Sequence, residues 1–432
     1  MEVVGKSFLV YGMGASGQSA YEFLNKHGAS VFLYSDKNSN NIKNINLVKK
    51  FSDVLKQKFD YVVLSPGIQI IGNKNIKKLK QNGAILISEM ELGYLFCKGK
   101  FIAITGTNGK TTCVSLLNHV LSKKYKTFLC GNIGIPITSI CDKTDENSIV
   151  ICEVSSFMLE IVSQNFTPDI AGILNITPDH ISRHKTFDNY YKIKLKITQF
   201  QRENQYFLTF NELKNINTNA KKIILNNIKK YKSNLIGEFN QKNIAFCEKI
   251  CELLNVNNKE FKKYIKTFYP IKFRLEYVGK IKSVSYINDS KSTNPDSCIK
   301  ALKSMKKPVV LLLGGSDKGN DFYDVFSISK NIRLAIIYGQ TANKLEQDAH
   351  FMGFYNIVKF ENLCSALSHL KEYLKKRDIV LFSPACASYD EFKNYVERGE
   401  FFNKYFEENK WKSYQVFFMV PRIINQIYYL YW

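Results

Sequence analysis

Short, unbroken apolar runs recur along this chain, and most are followed by a polar turn and then a helical pattern. Unbroken apolar runs are what strands look like when both faces of a sheet are covered; a half-exposed antiparallel sheet would alternate apolar and polar residues instead. SFLVYG (7–12), SVFLYS (30–35), YVVLS (61–65) and AILIS (84–88) form a first block of such runs. Between the first two lies SGQSAYEFLNKHG (16–28), a helix stopped by Gly28. A second block holds FIAITG (101–106), TFLCG (127–131), SIVICEV (148–154) and DIAGILN (169–175), with helices over 187–201 and 239–254. A third opens with a strand–turn–strand reading of 269–291 and continues through PVVLLLGG (308–315), LAIIYG (334–339) and DIVLFSP (378–384). Strand–helix alternation of this kind predicts parallel sheets with right-handed crossovers, and so an α/β protein. The expected division is three domains, 1–99, 100–270 and 271–411, followed by an unassigned apolar and aromatic tail at 412–432.

The 432 residues include 61 Lys+Arg and 38 Asp+Glu, a formal net charge of +23. An apolar fraction of 45% is enough for real cores and excludes a disordered or collagen-like chain. No apolar run reaches the roughly 18–20 residues of a membrane span. The N-terminus runs straight into a strand without the basic-then-apolar profile of a signal peptide, so a cytoplasmic location is the default. The ten cysteines show no CxxC or Cys/His cluster and are expected to be free thiols, with Cys247 and Cys251 packing on one helix. The positive charge is spread along the chain together with Asn, Ile and Tyr, as in KNSNNIKNINLVKK (37–50). It therefore reads as a solvated surface rather than a nucleic-acid stripe.

Chemistry concentrates where strands end. ITGTNGKTT (104–112) is a strand, a glycine-bearing turn and a helix start, the context of a phosphate loop. Its glycines let backbone N–H groups face phosphate oxygens, with Lys110 reaching the phosphates and the Thr111 hydroxyl placed for Mg²⁺. The glycine spacing is shorter than in a standard Walker loop. GMGASG (12–17) matches GxGxxG, and Asp36 closes the next strand. That fingerprint reports a backbone approaching a diphosphate and leaves a nicotinamide dinucleotide and a UDP group both open. Glu153 ends a buried strand facing the phosphate loop and is a candidate Mg²⁺ ligand. NITPDHISRH (175–184) places Asp179 and His180 at another strand end, and generic physics reads Lys194, on YYKIKLKI, as a solvated helix lysine. INDSKSTNPDS (287–297), LLLGGSDKGNDF (311–322) and LFSPACASYDEFKNYVERG (381–399) crowd polar groups at three further strand ends, which marks a ligand crevice.

These segments, with GNIGIP (131–136) and LSPGI (64–68), occur in the order found in the bacterial Mur ligases, which the chain resembles over about residues 5–410. Within that family it resembles the branch adding D-glutamate to UDP-N-acetylmuramoyl-L-alanine in cytoplasmic peptidoglycan precursor synthesis. The resemblance implies a Rossmann-like N-terminal domain, a central P-loop ATPase-like domain and a C-terminal Rossmann-like α/β domain. It implies ATP-dependent amide ligation through an acyl phosphate, with Mg²⁺, by a monomer without stable membrane insertion and without a nucleic-acid partner. Carried over by residue, Thr107, Asn108, Gly109, Lys110, Thr111, Thr112 and Cys113 form the ATP loop, with Asn243, Arg274, Asp289 and Lys291 as further nucleotide contacts. Thr111 and Glu153 would hold a first Mg²⁺. His180 and a carbamylated Lys194 would hold a second. Lys110, His180 and Lys194 are the implied catalytic residues. Ser16, Asp36, Ser65, Gly67 and Asn132 match the UDP-substrate side, and Thr293, Lys318, Ser388 and Tyr395 the D-glutamate side. The chain departs from the family pattern at Phe273, Tyr389 and Tyr395. A nicotinamide-dependent oxidoreductase built on GMGASG and a nucleic-acid-binding protein are the competing classes.

Overall fold

A computed structural model describes residues 1–36, 46–226, 228–269 and 271–428, with only the backbone described for 412–428. Part of the 37–50 stretch and residues 429–432 of the tail lie outside the described residues.

The described residues form three sheets. The first contains β1 (Ser7–Tyr11), β2 (Ser30–Tyr34), β3 (Leu47–Val48), β4 (Tyr61–Leu64) and β5 (Ile85–Ser88) in the order β3-β2-β1-β4-β5. The second contains β6 (Lys100–Thr105), β7 (Thr127–Gly131), β8 (Ile149–Glu153), β9 (Ile170–Ile173), β10 (Tyr206–Phe210) and β11 (Lys221–Leu225) in the order β11-β10-β9-β6-β8-β7. Their described pairings are parallel. The third contains β12 (Glu276–Ile281), β13 (Val284–Asn288), β14 (Val309–Gly314), β15 (Ile332–Tyr338), β16 (Ile357–Lys359) and β17 (Ile379–Ala385) in the order β12-β13-β17-β14-β15-β16. Here the β12–β13 hairpin is antiparallel and the other pairings are parallel. The α/β class expected from the apolar runs is the class observed.

The runs are unbroken because both faces are covered. On β1, Phe8 and Val10 enter one apolar cluster while Leu9 and Tyr11 enter another. On β14, Val309, Leu311 and Leu313 pack on one side and Val310 and Leu312 on the other. Truncating one of these leucines to alanine costs about 2–5 kcal/mol, from lost transfer energy and the cavity left behind.

The chain divides into two compact units, Met1–Ser233 with Gln241–Phe268, and Asn234–Asn240 with Tyr269–Trp432. The first unit carries the first two sheets and the second carries the third.

Three local expectations need correction. The helix expected over 187–201 ends at Leu195; beyond it the Thr198 hydroxyl bonds Gln201 (2.7 Å) and Thr218 (2.6 Å), side-chain partners that compete with a continuing helix. The strand expected from 269 begins only at Glu276. Before it, Phe273 and Leu275 sit at positive φ (65° and 45°), pinned by Phe273 N–H to Glu276 (2.8 Å) and Leu275 N–H to Asp289 (3.1 Å). Strands β3, β10, β11 and β16 form where no strand was expected.

Candidate functional site

In the first unit, β6 lies between β9 and β8 in the sheet, and its C-terminal end opens into the loop Gly106–Gly109. Gly109 has φ 89°, and a Cβ there would lie 2.7 Å from the Asn243 carboxamide oxygen. Only glycine fits both constraints. The helix Lys110–Leu121 starts directly after it, with Thr111, Thr112 and Cys113 buried. The loop is braced from behind. Asn175 accepts from the Asn108 N–H and donates to the Asn108 carbonyl, both at 2.9 Å. The Thr107 hydroxyl lies 3.0 Å from that of Tyr190.

Two lysines converge on one carbonyl. Lys110 Nζ donates to Gly106 O (2.7 Å) and Thr107 O (2.9 Å). Lys194 Nζ donates to the same Gly106 O (3.0 Å) and to Thr105 Oγ1 (3.3 Å). Lys194 is 1% exposed, so the solvated reading from its helix pattern is wrong. The helix turns this position inward, against the end of β6. Burial pushes its ammonium well below the usual lysine range and the Lys110 charge adds to this, while Asp179 and Glu153 oppose it. Glu153, at the end of β8, is buried. Its Oε1 accepts from the Asn132 amide at 2.7 Å, and its Oε2 is buried with no hydrogen-bond partner among the described residues. An unsatisfied buried carboxylate oxygen is costly unless a cation fills the gap. His180 takes a left-handed backbone (φ 55°) at the start of the short helix Ile181–His184. Its ring lies 3.6 Å from Asp179 and edge-on to Phe157.

The five residues expected on the UDP side, Ser16, Asp36, Ser65, Gly67 and Asn132, line one cavity of about 830 Å³ with the backbone of Gly12 and Gly14. Gly17 is dictated by packing, because a Cβ there would overlap Gly12 O at 1.8 Å. The Asp36 carboxylate accepts from the hydroxyls of Tyr11 (2.5 Å) and Tyr34 (2.9 Å). Burial first, and this carboxylate second, push the Tyr34 phenol up to about 12.

Sequence reasoning missed the residue that fastens this cavity. Arg183 pairs with Glu160 through Nε (2.7 Å) and Nη2 (2.8 Å), donates to the carbonyls of Gly67 (3.3 Å) and Ile68 (2.8 Å), and covers the Phe157 ring at 4.1 Å. It thus ties the loop after β4 to the segment after β8 and to the aromatic ring beside His180.

In the second unit, Asp289 follows β13, buried, accepting from Ser383 Oγ (2.9 Å) and Leu275 N–H (3.1 Å). Burial pushes its carboxyl up to about 7. Lys291 Nζ sits 3.6 Å over the Tyr395 ring. Arg274 lies in the positive-φ segment and lowers Asp289 electrostatically. Ser388 is buried, whereas Thr293 and Lys318 are half-buried on neighbouring strand-end loops. Arg398, also missed from sequence, is 1% exposed and donates to the carbonyls of Ser290 (2.9 Å), Cys386 (3.0 Å) and Ala387 (2.9 Å), fixing the loop after β17.

The ten cysteines are free, with Cys247 and Cys251 buried. No group of three or more His, Cys, Asp or Glu that could hold a metal ion occurs among the described residues.

The Mur ligase middle domain matches residues 104–280, and the Mur ligase glutamate ligase domain matches 273–386. The chain belongs to the Mur ligase family. Among curated relatives of this Mur ligase, the UDP-N-acetylmuramoylalanine–D-glutamate ligase of Lachnoclostridium phytofermentans is 34% identical over 449 residues, covering 94% of this chain and 98% of the relative. The protein of the same name from Thermoanaerobacter sp. (strain X514) is 36% identical, with the same two coverages. The fold is shared with a MurF ligase from Thermotoga maritima solved in complex with ADP: TM-score 0.60, 17% identity, 95% of this chain and 96% of that one.

Proposed function

We propose that this Mur ligase joins the amine of D-glutamate to the alanyl carboxylate of UDP-N-acetylmuramoyl-L-alanine, driven by ATP, as a monomer in the cytoplasm. The observation that carries the reading is the convergence of Lys110 and Lys194 on the Gly106 carbonyl, beside a buried Glu153 oxygen without a hydrogen-bond partner. The names of the relatives support the choice of substrates.

A carboxylate is a poor acyl donor because oxide is a poor leaving group. Transfer of the ATP γ-phosphoryl group to a carboxylate oxygen, with ADP leaving, gives an acyl phosphate. The amine then attacks the carbonyl carbon, loses a proton, and inorganic phosphate leaves. Such a reaction depends mainly on positioning and on cations around crowded phosphoryl oxygens. Thr107 to Cys113, with Asn243, cradle the phosphates by backbone N–H groups and the helix N-terminus. Lys110, held over its own loop by two carbonyls, exchanges them for phosphate oxygens, which are stronger acceptors.

The residues present fit Mg²⁺. Glu153 Oε2 and the Thr111 hydroxyl are oxygen donors, and this ion is commonly held by one or two carboxylates plus substrate phosphates. Bound there, Mg²⁺ would neutralise charge developing on the transferred phosphoryl group. As an ammonium Lys194 is a donor only. Its depressed basicity favours the neutral nitrogen, which can add to CO₂ with loss of a proton to solvent, and the resulting carbamate oxygens together with the His180 ring would offer donors for a second ion. Ser16, Asp36, Ser65, Gly67 and Asn132 hold the UDP-sugar. Arg274, Asp289 and Lys291 complete the nucleotide contacts, and Thr293, Lys318, Ser388 and Tyr395 receive D-glutamate. The three-domain division at residues 99 and 270 follows the same reading.

The test is phosphate release from ATP by the purified protein with each substrate omitted in turn. Release that requires both UDP-N-acetylmuramoyl-L-alanine and D-glutamate supports the assignment. Equal release with another amino acid, or NAD turnover without ATP hydrolysis, contradicts it.

A further inference from the structure

A second cavity, of about 780 Å³, lies in the second unit at the opposite end of the third sheet from Asp289. Its lining residues turn the β12–β13 hairpin (Ile281, Lys282, Ser283) and precede β17 (Lys371, Leu374, Lys375, Lys376). Its floor is apolar, formed by Val284, Tyr286, Ile281 and Leu374. Its rim carries the four exposed lysines 282, 371, 375 and 376, and the lining contains no Asp or Glu among the described residues. Arg377, beside them, donates its N–H to the Ser283 hydroxyl at 3.2 Å, which joins the two basic segments into one face. Nearby Glu407 and Glu408 face Lys410 and Lys404, each at 4.0 Å.

The remaining lining residue, Asn409, belongs to the helix Tyr395–Tyr428, which continues past the cavity into the tail. Trp411, two residues on, is 69% exposed. From Trp411 to residue 432 the sequence has Lys412 and Arg422 but no Asp or Glu, and it contains both of the chain's tryptophans, Trp411 and Trp432. No helix among the described residues is long and apolar enough to cross a membrane.

We propose that this end of the third sheet, together with the aromatic tail, docks on the surface of an anionic lipid membrane. Clustered lysines over an apolar floor match phosphate headgroups above acyl chains, and tryptophan favours that interface. An acid-free aromatic segment interrupted by Pro421, Arg422, Asn425 and Gln426 suits lying on the surface. The geometry leaves the catalytic strand ends free, because the lysines precede the strands whose C-terminal ends carry Asp289 and Ser383. Docking therefore does not depend on which amino acid the ligase adds.

The test is co-sedimentation of the full chain with vesicles of phosphatidylcholine alone and of phosphatidylcholine mixed with phosphatidylglycerol, with tryptophan emission recorded in parallel. The expected result is binding to the anionic vesicles only, with a blue-shifted emission. Reversing three lysines (Lys371→Glu, Lys375→Glu, Lys376→Glu) should weaken binding by at least roughly a hundredfold, at about fivefold per lysine. Deleting residues 412–432 should weaken it independently. Both variants should keep wild-type ligase turnover on soluble substrates, which also reports that they fold. Wild-type protein that stays in the supernatant, equal binding to both vesicle types, or binding unchanged in both variants would overturn the proposal. So would binding to an RNA oligonucleotide but not to vesicles.

Discussion

Each unit buries an ionisable side chain at a strand end that its desolvation pushes toward the neutral form. In the first unit it is Lys194, and in the second Asp289. Desolvation drives both toward the neutral form, one amine down and one carboxyl up, because a charge out of water is costly. The surroundings differ. Asp289 is answered by its own neighbours, a serine hydroxyl and a backbone N–H. Lys194 lies among charges, with Lys110 adding to its desolvation and Asp179 and Glu153 opposing it. The difference separates a carboxyl answered by hydroxyl and amide donors from an amine that, on the proposed reading, is a reactive nitrogen next to a phosphate loop.

The largest effect should come from the loop itself. Lys110→Ala should lower kcat by about 10²–10³ or more, as expected for losing a preorganised charge at a phosphoryl centre. Thermal unfolding should be little changed, since Lys110 is half-exposed. Lys194→Ala should come next, at roughly 10²-fold, with part of the activity returning on addition of a short carboxylate such as acetate. A carbamate signal on wild-type Lys194, sought by ¹³CO₂ NMR, is the matching measurement. If neither rescue nor signal is seen, Lys194 acts through packing alone. Arg183→Ala should act on the cavity wall alone: about a tenfold rise in KM for the UDP-substrate, with the KM for ATP unmoved. Lys in its place should recover little, because one ammonium cannot reproduce the fork to Glu160 while serving two carbonyls.

The last effect is one on stability rather than turnover, a pH slope in the second unit. The Asp289 carboxyl is raised in the folded chain from 3.8 to about 7, so between these values the folded state holds a proton the unfolded chain has released. Its contribution to stability is full below the lower value and is lost as pH rises through the upper one. Between about pH 5 and about pH 8 this amounts to about 3 kcal/mol, read from urea midpoints. Asp289→Asn should flatten that difference. An unchanged slope would show that the carboxylate finds solvent or a cation.

The same contrast governs what the residue order revealed. The central strands of each sheet were readable from unbroken apolar runs, and the strand, glycine turn and helix start at 104–112 from their order, because those signals are local. Lys194 was not readable from the helix pattern. It shares YYKIKLKI with Lys192, an exposed partner of Asp188, and Lys196, which reaches the Glu160 carbonyl, and only the packing of that helix against β6 singles it out. The family resemblance pointed to Lys194 where helix periodicity pointed away. Arg183 and Arg398 carried no local signal, since an arginine in a polar segment is ordinarily solvated. Their partners, the carbonyls of residues 67–68 and 386–387, come from distant turns. Strands β10 and β11 escaped because their runs are short and edged by Lys and Asn.

The central claim is that a carboxylate oxygen accepts the phosphoryl group before the amine attacks. UDP-N-acetylmuramoyl-L-alanine carrying ¹⁸O in its alanyl carboxylate should therefore hand one labelled oxygen to each inorganic phosphate released during ligation, read by ³¹P NMR or mass spectrometry. Unlabelled phosphate released in step with amide formation would contradict the account.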